Sequence, residues 1–272
     1  MNISGKTKLC IIIGDPVKHS LSPAMHNAGY EALGIDDKFV FIAAQTDVRD
    51  IKKIVEAVRA MGIRGLTCTM PHKIEVMPFL DEIDPIAQKI GAVNTVVNEN
   101  GHLKGYNTDW LGVVTPLEKH VSLSGKKVAI IGAGGAARSM AFGVLQKGAT
   151  LAIFNRTLAK AERLAQEFGA QARNMSQIEL VKDFDIILNA TSLGMGEYVD
   201  KTPVPKEYLH NHHIVFDAVY VPRETQLMKD SAEQGARIIY GSEMLLYQGV
   251  AQFELYTGEK APIDVMREVC SV

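Results

Sequence analysis

The sequence predicts an α/β protein made of two α/β domains with a cleft between them. Three observations carry this reading. Strand-like and helix-like stretches alternate along the whole chain, the pattern of largely parallel sheets covered by helices. A glycine-rich turn, GAGGAA, follows one buried strand pattern and opens a helix pattern near the middle. The regular pattern pauses near residues 115–122, which divides the chain into two units.

In the first half, 9–13 is a short apolar run bounded by turns, a buried strand. Residues 23–33 form a helix stopped at Gly34, and 39–44 a strand. Residues 48–61 form an amphipathic helix ending at Gly62, and 65–69 a short strand running into Pro71. A helix at 84–90 precedes a hairpin, 95–98 with 102–106, turning at NENG. In the second half, SGKKVAIIG is a strand, 136–147 a helix, 150–154 a strand and 158–168 a helix. Later strands fall at 185–189, 214–218 and 237–240, with a helix at 225–234 between the last two. A long helix at 243–256 and a shorter one at 263–269 finish the chain.

Composition narrows the class. The 272 residues can bury a substantial core, and 47% hydrophobic with 22% charged is ordinary for a globular protein. A net charge of −2 gives no general attraction to nucleic acid or an anionic membrane, so neither is expected as a partner. Cys10, Cys68 and Cys270 are odd in number and far apart, with no CxxC spacing, which suits bystander thiols in a reducing compartment. The first apolar run is too short for a signal or a span, so a cytoplasmic location is expected. HNHH, at 210–213, has no acidic or cysteine partners beside it and reads as a polar loop, so no metal site is expected. His72 reads as a loop histidine, and His19 and His26 as structural.

The glycine turn is the strongest local signal. Gly132 permits the tight turn, Gly134 lets the backbone approach a pyrophosphate, and Ala137 is small enough for close helix–strand packing. The helix that follows directs free N–H groups and its positive end at phosphate. One helix and one strand later, a dinucleotide fold usually places an acid that holds the ribose 2′-hydroxyl. Here the strand runs into Asn155, Arg156 and Thr157. A carboxylate would repel a 2′-phosphate, whereas Arg156 can pair with it in two-pronged fashion and stack on adenine. Asn155, Thr157 and Lys160 add donors. The second unit is therefore expected to be a Rossmann-type domain built for NADP. NATSLGM, following a later strand, fits a loop at the carboxyl end of the same sheet.

The first unit concentrates polar residues in short motifs. HSLSPAMHN sets Ser20 and Ser22 before a helix start, where one could be an N-cap or both could hold a carboxylate. TMPHK supplies Lys73, GAVNT supplies Asn94 and GYNTDWLG supplies Asp109. A lysine and an aspartate that meet can hold and move a proton.

Taken in order, these motifs resemble the shikimate dehydrogenase family over nearly the whole chain. They are GDPVKHSLSPAMHN, TMPHK, GAVNT, GYNTDWLG, GAGGAARS, NRTLAK, NATSLGM, DAVYVPRETQL and LLYQGVAQFELYTG. The resemblance implies NADP-dependent reduction of 3-dehydroshikimate to shikimate, in aromatic amino-acid biosynthesis. It implies that Ser20 and Ser22 hold the substrate carboxylate with help from Tyr220. Thr69, Asn94, Asp109 and Gln248 would hold the ring hydroxyls, and Lys73 paired with Asp109 would handle the proton. Gly132, Ala133, Gly134, Gly135 and Ala136 would hold the pyrophosphate. Asn155, Arg156, Thr157 and Lys160 would hold the adenosine phosphate, and Ala218 and Gly241 would contact the nicotinamide end. Because the helix with Gln248 would return to the substrate half, the implied domains are 1–115 plus 245–272 for substrate and 116–244 for NADP. A homodimer is compatible, although no charge pattern marks a dimer face.

Two positions depart from the family pattern: Thr67 stands where Asn is frequent, and Tyr256 where Trp is frequent. Three other readings compete. A quinate/shikimate dehydrogenase of broader substrate and cofactor use is opposed by the serine pair and Arg156. A methylene-tetrahydrofolate dehydrogenase gives no reason for HSLSP or YQGVAQF. A non-catalytic NADP sensor would not need Lys73 and Asp109.

Overall fold

The computed structural model describes residues 3–270. The chain forms two compact units. One holds the described residues up to Asp109 together with those from Leu245 onward, and the other holds Trp110–Met244. Residues 110–115 thus lie with the second unit.

The first unit is a six-stranded mixed sheet. Its strands are β1 (Lys8–Gly14), β2 (Phe39–Gln45), β3 (Gly65–Cys68), β4 (Glu82–Ile83), β5 (Thr95–Glu99) and β6 (His102–Tyr106), in the order β2-β1-β3-β5-β6-β4. β1 pairs in parallel with β2 and β3, while β5 runs antiparallel to β3 and to β6. Helix α1 (Ser22–Ala32) follows β1, and α2 (Ile51–Ala60) follows β2 after a 3-10 turn at Val48–Asp50. Val55 and Val58 of α2 pack with Ile13, Leu66 and Val96 of the sheet in one apolar cluster. Two shorter helices, α3 (His72–Glu75) and α4 (Pro85–Ile90), follow β3 and β4. Asp84 caps α4 by accepting from the Ile86 N–H, and Gly91 ends it in the left-handed region, as helix-end physics favours.

The second unit is a six-stranded, all-parallel sheet. Helix α5 (Asp109–Glu118) leads into it. Its strands are β7 (Lys127–Ile131), β8 (Thr150–Asn155), β9 (Gln171–Asn174), β10 (Ile186–Asn189), β11 (Ile214–Asp217) and β12 (Arg237–Ile239), in the order β12-β11-β10-β7-β8-β9. α6 (Gly135–Gln146), α7 (Leu158–Phe168) and α8 (Gln226–Glu233) lie between them. From β7 the order runs outward to β9 on one side and to β12 on the other. The chain therefore reverses direction across the sheet between β7 and β10, the doubly wound arrangement. Val128 and Ile130 face one apolar cluster with α6 and α7, while Ala129 and Ile131 face the other with α8. A strand buried on both faces needs such an uninterrupted apolar run, each large side chain contributing about 1.5–3 kcal/mol. Among the described residues no helix is long and apolar enough to cross a membrane.

Two final helices, α9 (Gly241–Thr257) and α10 (Ile263–Cys270), close the chain, which passes back into the first unit within α9. Phe253 of α9 lies against Tyr30 of α1, ring centroids 5.1 Å apart. Cys10, Cys68 and Cys270 are buried thiols outside any disulfide; burial pushes the Cys10 and Cys68 thiols up to about 12, which leaves them unreactive.

His26 of α1 is fully buried and stacks on Phe41 at 4.4 Å. Neither ring nitrogen reaches a partner at normal hydrogen-bond geometry. Burial lowers its pKa to about 3, with nearby Gln252 pulling weakly the other way. The folded state therefore holds the neutral ring. Its contribution is complete above the unfolded value near 6.5 and is lost progressively as pH falls towards the folded value. Urea unfolding is expected to give about 2 kcal/mol less stability at pH 5 than at pH 7 from this group. His26→Phe should flatten that dependence. It should not abolish it, since burial also lowers His72 and His213. An unchanged pH slope in His26→Phe would remove His26 from the account.

Candidate active site and cofactor cavity

In the first unit the polar motifs converge on one sheet edge. β1 and β3 are parallel, so their carboxyl ends lie side by side; β5, antiparallel to β3, starts there, and β6 ends there. Backbone bonds tie the loops together. Thr69 N–H donates to Ile13 O at 3.0 Å, Asp15 N–H to Met70 O at 2.9 Å, and Asn94 N–H to Tyr106 O at 3.1 Å. Ser20 and Ser22, Thr69, Lys73, Asn94 and Asp109 all follow or precede these strand ends.

Lys73 Nζ donates to Asp109 Oδ2 at 2.5 Å. Asp109 is nearly buried, its side chain 5% exposed, against 17% for Lys73. The carboxylate's other oxygen accepts from Asn94 Nδ2 at 2.9 Å. Asn94 is itself held, because its Oδ1 accepts from the Thr108 N–H and from the Thr95 hydroxyl, both at 2.8 Å. Gln248 Oε1 stands 3.4 Å from the same amide nitrogen, and Gln248 Nε2 donates to Leu245 O. Lysine, aspartate, asparagine and glutamine, drawn from α3, α5, the start of β5 and α9, thus meet in one connected group.

Ser20 and Ser22 meet at the start of α1, where the Ser22 N–H donates to Ser20 Oγ at 3.3 Å. The N-cap position is Leu21, and no side chain caps the helix; Pro23, which has no N–H to satisfy, stands in its first turn. The capping alternative for the serines is therefore not realised. His72 is not a solvated loop residue either. It is buried, with Nε2 donating to Thr46 O at 3.1 Å and lying 2.9 Å from the Thr46 hydroxyl. Thr67 is buried and bonds the Tyr256 hydroxyl at 2.9 Å, so the two departures from the family pattern touch each other. Tyr220 lies in the second unit, after β11.

The second unit carries a cavity of about 280 Å³ at the carboxyl edge of its sheet. Gly132, Asn155, Arg156, Thr191, Ser192 and Leu193 line it, with Met175 and Tyr198, and no carboxylate does. Its loops follow β7 and β10, the two strands between which the order reverses. Gly132 has φ +112°, and a Cβ there would stand 3.1 Å from Ala190 O, so only glycine lets the two loops come this close. Gly134 is the N-cap of α6, and a Cβ on it would meet nothing within 4 Å, which leaves open space over the helix N-terminus. Ala133 packs against the core, and Ala137 is fully buried, as close helix–strand packing requires. Asn155 Nδ2 donates to Thr157 O at 2.9 Å and fixes the turn. Arg156, Thr157 and Lys160 are exposed, and among the described residues no carboxylate pairs with Arg156. Ala218 follows β11 and its N–H donates to Asn189 O; Gly241 opens α9.

A larger cavity, about 430 Å³, lies among His120, Lys126, Asp185, His212, His213 and Arg237. These residues stand at the amino ends of the strands, whereas ligands of open α/β sheets bind at the carboxyl ends. His210, His212 and His213 pack ring to ring, but no group of three or more His, Cys, Asp or Glu among the described residues is arranged to hold a metal. Sequence reasoning did not single out Thr95 and Thr108, which hold Asn94, or Tyr198 in the cavity wall. Thr95 and Thr108 stand inside GAVNT and GYNTDWLG, so those motifs were the signal that could have found them, whereas Tyr198 lies outside every motif.

Comparison with known proteins points to one family. Residues 12–96 match the family model described as the shikimate dehydrogenase substrate binding domain. Residues 116–234 match shikimate / quinate 5-dehydrogenase, and 241–270 the shikimate 5'-dehydrogenase C-terminal domain. A shikimate dehydrogenase (NADP(+)) of Haloarcula marismortui is 48% identical over 94% of this chain and 95% of its own. A crystal structure of a shikimate dehydrogenase in complex with NADP+ superposes with a TM-score of 0.92 at 40% identity, covering 99% of this chain and 96% of that one. That of the Thermus thermophilus enzyme in complex with NADP(H) and shikimate gives 0.90 at 34% identity, covering 97% and 99%.

The Thr67–Tyr256 contact is testable by a double-mutant cycle. Thr67→Val or Tyr256→Phe alone strands one buried hydroxyl and is expected to cost about 1–3 kcal/mol in urea unfolding. The double variant, with neither hydroxyl present, should recover most of that loss. Strict additivity would mean that the two hydroxyls do not depend on each other.

Proposed function

The chain belongs to the shikimate dehydrogenase family, and from that premise we propose how its own residues carry out the NADP-dependent interconversion of 3-dehydroshikimate and shikimate. The observation that carries the proposal is the Lys73–Asp109 pair, 2.5 Å apart and held by Asn94. When bound, NADPH supplies the hydride to the ring ketone. Negative charge then grows on the ketone oxygen, and Lys73, as an ammonium, gives that oxygen its proton. In the reverse direction Lys73 takes the proton from the hydroxyl. Asp109 keeps the ammonium aimed, while Thr69, Asn94 and Gln248 offer hydrogen bonds to the remaining ring hydroxyls. Ser20 and Ser22 hold the substrate carboxylate, with Tyr220 as a further donor.

The second unit fits a 2′-phosphorylated dinucleotide. Gly132, Ala133, Gly134, Gly135 and Ala136 present backbone N–H groups and the α6 N-terminus to the pyrophosphate. The cavity wall has Arg156 and no carboxylate, which suits a phosphate on the ribose rather than a bare hydroxyl. Asn155, Thr157 and Lys160 surround the same phosphate, and Ala218 and Gly241 face the nicotinamide end. No residue lining the cavity favours NAD over NADP.

Absorbance of reduced nicotinamide, followed with shikimate or quinate and NADP or NAD, should rise mainly with shikimate plus NADP. Lys73→Ala should keep NADPH affinity and lose on the order of 10²–10⁴ in turnover. A variant that retains most turnover would remove the lysine from proton transfer.

Arg156→Ala should weaken NADP by roughly tenfold to a hundredfold, the value of a charge-assisted pair, and change NAD by less than about twofold. Equal losses for the two cofactors, measured by titration, would sink the phosphate clamp.

A further inference from the structure

One buried carboxylate in the second unit takes no part in the chemistry above. Asp217, the last residue of β11, has no exposure at all. Burial raises its pKa, and hydrogen bonds from three neighbours offset only part of that rise. Oδ1 accepts from Asn189 Nδ2 at 2.8 Å and from the Val219 N–H at 3.0 Å; Oδ2 accepts from the Thr225 hydroxyl at 2.6 Å. A buried carboxylate is costly, and this one has donors for both oxygens.

Each donor belongs to a different piece of the carboxyl edge. Asn189 ends β10, and its Oδ1 accepts from both the N–H and the hydroxyl of Thr191, at 3.0 and 2.7 Å. The Leu193 N–H in turn donates to Thr191 Oγ1 at 3.2 Å. Thr191 and Leu193 line the cofactor cavity. Val219 adjoins Ala218 in the loop after β11. A Cβ on Gly241 would stand 2.4 Å from Val219 O, so that loop also sets the start of α9. Thr225 caps α8 by accepting from the Met228 N–H at 3.3 Å. Asn189 and Thr225 are as deeply buried as Asp217.

We propose that Asp217 is a positioning residue for the cofactor: its carboxylate fastens the loop after β10, the loop after β11 and the cap of α8 into the poses that the nicotinamide half requires. The proposal rests on the reading above that Ala218 and Gly241 face the nicotinamide end. Arg156 and Asn155 stand on the far side of β7, after β8, and no bond of the Asp217 group reaches them. The loop after β10 shares the cavity wall with Arg156 through Thr191 and Leu193, whereas the loop after β11 lies outside that wall, so the fastening acts on the nicotinamide half chiefly through Val219 and Ala218.

The test compares wild type, Thr225→Val, Thr225→Ser and Asp217→Asn. Binding of NADPH is followed by its nicotinamide fluorescence, binding of adenosine 2′,5′-bisphosphate by calorimetry, and melting temperature is measured alongside. Thr225→Val is expected to weaken NADPH at least about tenfold and shift the emission of the bound ring, with adenosine 2′,5′-bisphosphate changed less than about twofold. Thr225→Ser, which restores the hydroxyl, should return NADPH affinity to near wild type. If Thr225→Val fails to fold, Asp217→Asn decides, because its amide must turn an N–H towards one of the three donors; the same selective loss is expected. A lower melting temperature with unchanged NADPH affinity and emission would overturn the proposal, and so would equal weakening of both ligands. Wild type that fails to bind adenosine 2′,5′-bisphosphate would instead refute the assignment of the cofactor cavity.

Discussion

The site in the first unit depends on one constraint: Asp109 must stay paired while almost buried. Removing a carboxylate from water costs several kcal/mol, and a single cation recovers that only with good geometry and further hydrogen bonds. Asp109 has both. Lys73 meets one oxygen, Asn94 meets the other, and Thr95 and Thr108 fix Asn94. The pair is consequently held by side chains that are themselves bonded, the preorganisation that the proposed proton transfer at a defined atom requires. It also explains why residues from α3, α5, β5 and α9 converge: each supplies one group to a shared network, and a strand end is the one place where all four can reach.

The second unit solves a similar problem with different residues. Its sheet reverses order between β7 and β10, and the loops there must come together without closing the space between them. Gly132 removes the Cβ that would strike Ala190, and the Asp217 group ties the later loops from beneath. In both units a buried acid with both oxygens engaged stands at a carboxyl edge. In the first the acid meets a reactive cation, and in the second only neutral donors. Under the two proposals above, this difference in partner separates a group that handles a proton from one that holds a shape.

Much of this was legible in the sequence because the signals were local. The strands of the second sheet other than β9, the glycine turn and α7 follow from apolar runs and their breakers, and the cation after β8 is visible without any structure. Helix α5 was missed because Gly112 and Pro116 interrupt its pattern; its stability comes from Val113, Val114 and Leu117 packing into the core. Strands β4 and β9 are short edge strands with one apolar residue each, fixed by pairing rather than propensity. The serine motif misled in one respect. A hydroxyl before a proline resembles a helix cap, yet Leu21 takes that position and leaves both serines uncommitted to capping. The roles of Thr95 and Thr108 were illegible because their partner, Asn94, is reached only after the sheet has formed.

The two departures from the family pattern show how a substitution is read differently once contacts are known. Taken singly along the chain, Thr67 is a lost amide beside the site, and Tyr256 is a changed aromatic in the last long helix. In space they are one feature. Tyr256 crosses over Gly65, where a Cβ would stand 2.6 Å from its ring, and brings its hydroxyl to Thr67. A phenol buried at that point needs a partner, and the threonine hydroxyl provides one. The hydroxyl of Thr67 is thus committed to the core rather than left free beside the strand end.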